Sequence, residues 1–174
     1  MPIKFIFDNP KLGLWMLFHQ TYTSVFKYED REFAKISITP QQHGVLMAIK
    51  SNHGMITPSV LADWLERDAN SITLIIDRME KSGFVKRARN DKDHRVLNIT
   101  VTRKGEKALQ RSTEIGWEII QDLLGNLSET EIKTFQNLLD KIREPAVANC
   151  YPDKPIEEIR TSLSTAARTG KKKK

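Results

Sequence analysis

The sequence predicts a mainly α fold, a winged helix-turn-helix with a small β-hairpin wing set between long terminal helices. Three observations predict it. Apolar residues recur every three to four positions over long stretches at both ends of the chain. Between them lie two short helical patterns split by Arg67-Asp68-Ala69-Asn70. Directly after these come two strand-forming stretches around the polar tip NDKDHR, residues 90–95.

Asn9-Pro10 starts the first helix, a capping side chain followed by proline at the first helical position. Trp15, Phe18, Tyr22, Val25, Phe26, Phe33 and Ile36 then form one apolar stripe that must be buried against something. In ITPQQHGVLMAIK, Thr39 is the cap, Pro40 the first residue and Gln42 the reciprocal partner of a capping box, so a second helix begins there. ITPSVLADWLE opens the third, short helix, with Thr57 as cap and Ile56 placed to staple onto Leu61. SITLIIDRMEKSG is the fourth, with Ile72, Ile75, Ile76 and Met79 on one face and Gly83 at its stop.

FVKRARNDKDHRVLNITVT reads as a β-hairpin, because Val96, Leu97, Ile99, Thr100 and Val101 are strand formers beside a polar turn. Thr102 caps a further long helix whose stripe comprises Ala108, Leu109, Ser112, Ile115, Gly116, Ile119, Ile120 and Leu123. Ser128 and Glu131 make a capping box for the last helix, which carries Ile132, Phe135, Leu138, Leu139 and Ile142 and is expected to end near Pro145.

Turning the fourth helix by about 100° per residue puts Asn70, Leu74, Asp77, Arg78 and Lys81 opposite its apolar face, flanked by Ser71 and Thr73. These donors and cations suit base edges and phosphates. Leu74 is the exception: either a neighbouring element covers it, or it makes an apolar contact in the major groove, where thymine methyl groups accept one. The hairpin tip carries Arg89, Lys92, His94 and Arg95, which suit phosphates and a narrow minor groove. Helix, turn, helix and basic hairpin together are the layout in which the second helix enters the major groove of double-stranded DNA.

The charge distribution agrees. The net charge is +6, and residues 67–104 carry ten Lys or Arg against five Asp or Glu. Residues 148–174 carry seven against three. No apolar run approaches the roughly 20 residues needed to span a bilayer, so no membrane role is expected. Asp8 and Lys11 interrupt the apolar opening and no small-residue cleavage site follows, so the chain reads as cytoplasmic. A lone cysteine, Cys150, cannot form an internal disulfide.

The stretch from Ile56 to Leu109 resembles the DNA-binding core of the MarR family of bacterial and archaeal transcription regulators, and the resemblance spans residues 39 to 109. Its most specific piece is Asp93-His94-Arg95 in the wing, followed by Thr-x-x-Gly at Thr102 to Gly105. The resemblance implies that Arg95 enters the minor groove with Asp93 supporting it. It also places Ser71, Thr73 and Arg78 on the recognition helix and Arg87 on the strand leading into the wing. Leu74 departs from the arginine the family often carries there, so base preference does not transfer. The cysteine that hydroperoxide-sensing members keep in their first helix is absent.

The resemblance further implies that the terminal helices interlock between two subunits as a dimerisation domain. The expected division is an N-terminal dimerisation helix over 1–37, the winged helix-turn-helix over 38–101, C-terminal dimerisation helices over 102–147 and a basic extension over 148–174. A homodimer would place two recognition helices about one DNA turn apart and require a near-palindromic operator. Trp15, Phe18, Tyr22, His43 and Trp117 are the candidate lining of a pocket for a small aromatic or other effector, with core packing as the alternative. His43 reads as a satisfied half-buried side chain in preference to a metal ligand.

No enzyme and no cofactor are expected, because the sequence has no glycine-rich phosphate loop, HExxH or CxxC, and its histidines are scattered without ligand spacing. The expected function is a sequence-specific transcriptional regulator, a repressor. The alternatives are a non-specific architectural DNA binder and a winged-helix protein-interaction module.

Overall fold

The computed structural model describes residues 9–89 and 97–150. Helix α1 spans Pro10–Ala34, α2 Pro40–Ser51, α3 Pro58–Leu65, α4 Ala69–Lys81, α5 Arg103–Leu124 and α6 Glu129–Cys150. Strand β1 is Met55–Ile56, β2 Val85–Arg89 and β3 Leu97–Val101.

The helix starts follow from short polar side chains that satisfy otherwise orphaned backbone donors. Asn9 Oδ1 accepts from Lys11 N at 2.9 Å. Thr39 Oγ1 accepts from Gln42 N while Gln42 Oε1 accepts from Thr39 N, the reciprocal box. Thr57 caps α3, Thr102 caps α5, and Ser128 and Glu131 exchange hydrogen bonds at the start of α6. Asp68, which the sequence offered only as part of a break, is the cap of α4 and accepts from Ser71 N at 2.8 Å.

The hairpin is present as expected and gains a third strand, and one expectation, the end of the last helix, is corrected. The wing is one part of a three-stranded antiparallel sheet in the order β1-β3-β2, with Met55 opposite Thr100 and Ile56 opposite Ile99. A two-residue strand has no periodicity to read, and Ile56 was legible only as a staple. The last helix does not stop near Pro145 but continues to Cys150. Proline there removes one backbone hydrogen bond and crowds the preceding turn. The helix-favouring residues Ala146 and Ala148 follow, Val147 is buried, and Asn149 Nδ2 donates back to Pro145 O at 2.7 Å.

The core sits in the middle of the chain. Val45, Leu46 and Ile49 of α2, Leu61 of α3, Ile72, Ile76 and Met79 of α4, Val85 of β2 and Ile99 of β3 form one buried cluster, which Phe33 and Leu109 close from the long helices. Tyr28 Oη donates to Asp122 Oδ2 at 2.5 Å, and Phe33 lies beside Gly116, so α1 and α5 run antiparallel over the C-terminal half of α1. Arg143 of α6 pairs with Glu66, whose φ of 51° makes the left-handed corner between α3 and α4.

The start of α5 is fastened to the end of α4. Thr102 Oγ1 donates to Gly83 O at 2.6 Å, Thr102 N donates to Phe84 O at 3.0 Å, and Lys104 Nζ donates to Ser82 O at 2.8 Å. At Gly105 a Cβ would lie 2.1 Å from Phe84 O and 2.7 Å from Val101 Cγ1, so only glycine permits this approach.

Candidate nucleic-acid interface

Helix α4 separates its two faces sharply. Ile72, Ile76 and Met79 are fully buried, while Asn70, Thr73, Leu74, Arg78 and Lys81 are exposed. Among the described residues no hydrogen bond or ion pair is recorded for the side chains of Arg78 and Lys81, which leaves both cations available to an external anion. Thr73 Oγ1 donates to Ala69 O at 2.8 Å and keeps its lone pairs as acceptors. Ser71 is half-buried, and its hydroxyl donates to Asp68 Oδ2 at 2.6 Å, so it serves the helix cap. These hydrogen bonds, side chain first, hold the Asp68 carboxyl below the usual carboxylate range.

Leu74 is 56% exposed. No described element of this chain covers it.

The wing tip, with Lys92, Asp93, His94 and Arg95, lies outside the described residues, as does the side chain of Arg89. The base of the wing is defined by β2 and β3, paired from Val85 opposite Val101 to Arg89 opposite Leu97. Arg87 is engaged within the protein: its Nη1 donates to Glu80 and its Nη2 to Asp77, and its backbone N–H donates to Glu80 Oε1 at 2.9 Å. The backbone bond from Arg87 and then the guanidinium lower the pKa of Glu80; Asp77 and then Glu80 raise that of Arg87. Sequence reading missed this three-residue link. Its signal was two acids three positions apart on a helix otherwise presenting cations.

The candidate effector residues do not converge within one chain. His43 lies in the α1–α2–α5 corner: its ring stacks on Phe33 with centroids 5.1 Å apart, and its Nδ1 is 2.7 Å from Ser112 Oγ. The Ser112 hydroxyl also lies within hydrogen-bonding distance of Leu109 O, at 3.1 Å. Burial lowers the His43 pKa. Trp15 and Tyr22 are exposed on the N-terminal half of α1, and Trp15 is 18 residues before Phe33, about 27 Å along the helix axis. Phe18 and Trp117 are also exposed. A groove of about 410 Å³ opens elsewhere, lined by Lys50, Arg103, Glu106, Lys107, Leu109 and Gln110. No helix among the described residues is long and apolar enough to cross a membrane.

A short helix, a tight corner, a second helix with an exposed polar face and a following hairpin define a winged helix-turn-helix protein with long flanking helices. A family model described as MarR family matches residues 36–96. Over 111 residues the chain is 33% identical to the Multiple antibiotic resistance protein MarR of Salmonella typhimurium, covering 62% of this chain and 74% of that one. It is 26% identical over 141 residues to the HTH-type transcriptional repressor MdtR of Bacillus subtilis, covering 81% and 88%. The crystal structure of a mutant MarR from E. coli complexed with operator DNA superposes with a TM-score of 0.69 at 27% identity, covering 77% of this chain and 96% of that one. The chain belongs to the MarR family of winged-helix transcriptional regulators.

Proposed function

We propose that the chain is a sequence-specific repressor that acts in the cytoplasm, binds a near-palindromic double-stranded operator as a homodimer and is released by a small effector. The observation that carries this reading is the open face of α4, where Arg78 and Lys81 stand without partners among the described residues beside exposed Leu74, Thr73 and Asn70. Cations supply affinity through phosphates, and the apolar and hydroxyl groups between them supply contacts that differ from base to base. The wing residues Lys92, His94 and Arg95, with Asp93 as support, extend the contact into the minor groove. Repression is the activity named for MdtR of B. subtilis, and operator DNA is the partner in the E. coli MarR complex.

The domain assignment follows the same reading: residues 38–101 bind DNA, and 1–37 with 102–147 dimerise. Exposed Leu14, Trp15, Leu17, Phe135, Leu138 and Ile142 on α1 and α6 support dimerisation. An effector site that uses Trp15, Phe18 and Tyr22 together with His43 and Trp117 needs two chains, because within one chain the N-terminal half of α1 carries the first three away from His43.

Titration of the full chain against the inverted repeat nearest its own gene and against random duplex tests the reading. A repressor prefers the repeat by at least about a thousandfold. Equal affinities for both duplexes replace it with an architectural role, and binding to neither replaces it with a protein-interaction role.

A further inference from the structure

A helix that approaches phosphates is a costly place for carboxylates, yet α4 carries Asp77 and Glu80 beside Arg78 and Lys81. Both acids turn to one partner. Arg87 stands on β2 opposite Ile99 and so shares its face of the sheet, the face toward the core. From there its guanidinium reaches Asp77 with one nitrogen and Glu80 with another, and its own backbone N–H reaches Glu80 again. The Arg87 side chain is 24% exposed, against 44% for Asp77 and 38% for Glu80. Two carboxylates a helical turn apart require diverging donors on a rigid plane, which a guanidinium supplies and an ammonium does not.

We propose that Arg87 is a positioning residue: it neutralises the carboxylates of Asp77 and Glu80 and fixes the wing hairpin against the recognition helix, and it does not read the duplex itself. The proposal rests on the DNA-binding reading above and assigns Arg87 a different part in it from the strand-borne contact that the family resemblance implied. With Arg87 in place, the cluster presents one net negative charge to the approaching phosphates; without it, two. Arg87 also joins the hairpin to the helix by side-chain and backbone bonds at one residue, so the angle at which the wing leaves α4 depends on it.

The test is a cycle on the full chain, using a duplex that the wild type selects from a random-sequence pool. Arg87→Ala should bind that duplex about ten times more weakly. Adding Asp77→Asn and Glu80→Gln to Arg87→Ala should restore about three- to tenfold, whereas the same two substitutions with Arg87 present should gain clearly less, because the charge they remove is offset by loss of the bonds that fix the hairpin. A direct contact from Arg87 to DNA predicts instead that neutralising the acids helps equally in both backgrounds, and that additivity would overturn the proposal. Arg87→Lys restores the charge without the fork and should recover only part of the loss. In the absence of DNA, amide exchange across β2 should quicken in Arg87→Ala; unchanged exchange overturns the fastening role. A wild type that selects no duplex defeats the DNA-binding reading itself, and the exchange measurement tells that outcome apart from a failure of the Arg87 link.

Discussion

Val45, Leu46, Ile49, Leu61, Ile72, Ile76 and Met79, all in the winged middle of the chain, are fully buried by one another, whereas Leu14, Trp15, Leu17, Phe135, Leu138 and Ile142 on the terminal helices lie in the open. Both sets repeat at helical spacing, and in the sequence they look alike. The difference teaches that periodicity says which face of a helix is apolar and nothing about what covers it. In the middle the covering surface is supplied by α2, α3, α4 and the sheet of the same chain. At the ends, α5 covers only the C-terminal half of α1, and the apolar stripes of α1 and α6 stay exposed in one chain, as the proposed dimer requires.

The largest expected effect falls on the finished region. Ile76→Ala should lower stability by about 2–5 kcal/mol in chemical denaturation, by an amount independent of protein concentration. A loss under about 1 kcal/mol would mean that the middle is not tightly packed and would dissolve the contrast. Next comes the unfinished region, where Leu138→Asp buries nothing in one chain but sets a charge in the proposed dimer face. It should weaken association by about 1–3 kcal/mol and shift sedimentation toward monomer, while the far-ultraviolet spectrum of the middle persists. An unaltered sedimentation profile would place the dimer contact elsewhere.

A similar magnitude is expected at the wing, without any effect on folding. Arg95→Ala should cost about 1–3 kcal/mol of operator affinity and leave the melting temperature unchanged. Asp93→Ala should also weaken binding if Asp93 orients Arg95; tighter binding would reduce the tip to a diffuse basic patch. The smallest effect concerns the seam between the regions. Burial holds the His43 pKa below its ordinary 6.5, so as pH falls the unfolded chain takes up this proton first. The stability present above pH 6.5 is therefore lost as pH falls from there through the folded-state pKa. His43→Gln should flatten that part of a melting-temperature profile, and a profile unaffected by the substitution would contradict the burial of a neutral ring.

The order of helices and the hairpin were legible because their signals are local. Thr39 with Gln42, Thr57 with Pro58, Thr102 with Gly105, and Ser128 with Glu131 each announce a helix start within four residues. The exposed face of α4 was legible for the same reason, since one helical pattern fixes which residues share a side. What the sequence concealed depends on contacts between distant segments. β1 exists because Met55 and Ile56 meet Thr100 and Ile99, and neither pair signals the other. The carboxylates of α4 found their partner on β2. Pro145 was read as a stop because a strong local rule argued for one, and the burial of Val147 beyond it could not be seen in the sequence. Tyr22 and Trp15 were grouped with His43 because they are aromatic, although the straightness of α1 holds them a long way apart.

The close approach at Gly105 has a mechanical consequence. Because α5 is clamped at its first turn to the chain leaving the recognition helix, the two cannot slide past one another there, and any change in the tilt of α5 is largest at its far end. Its 22 residues make it about 33 Å long. A tilt of about 5° about the clamped end displaces the far end, beyond Asp122, by about 3 Å. A side chain at residue 105 larger than hydrogen would force Phe84 and Val101 away from α5 and open this contact.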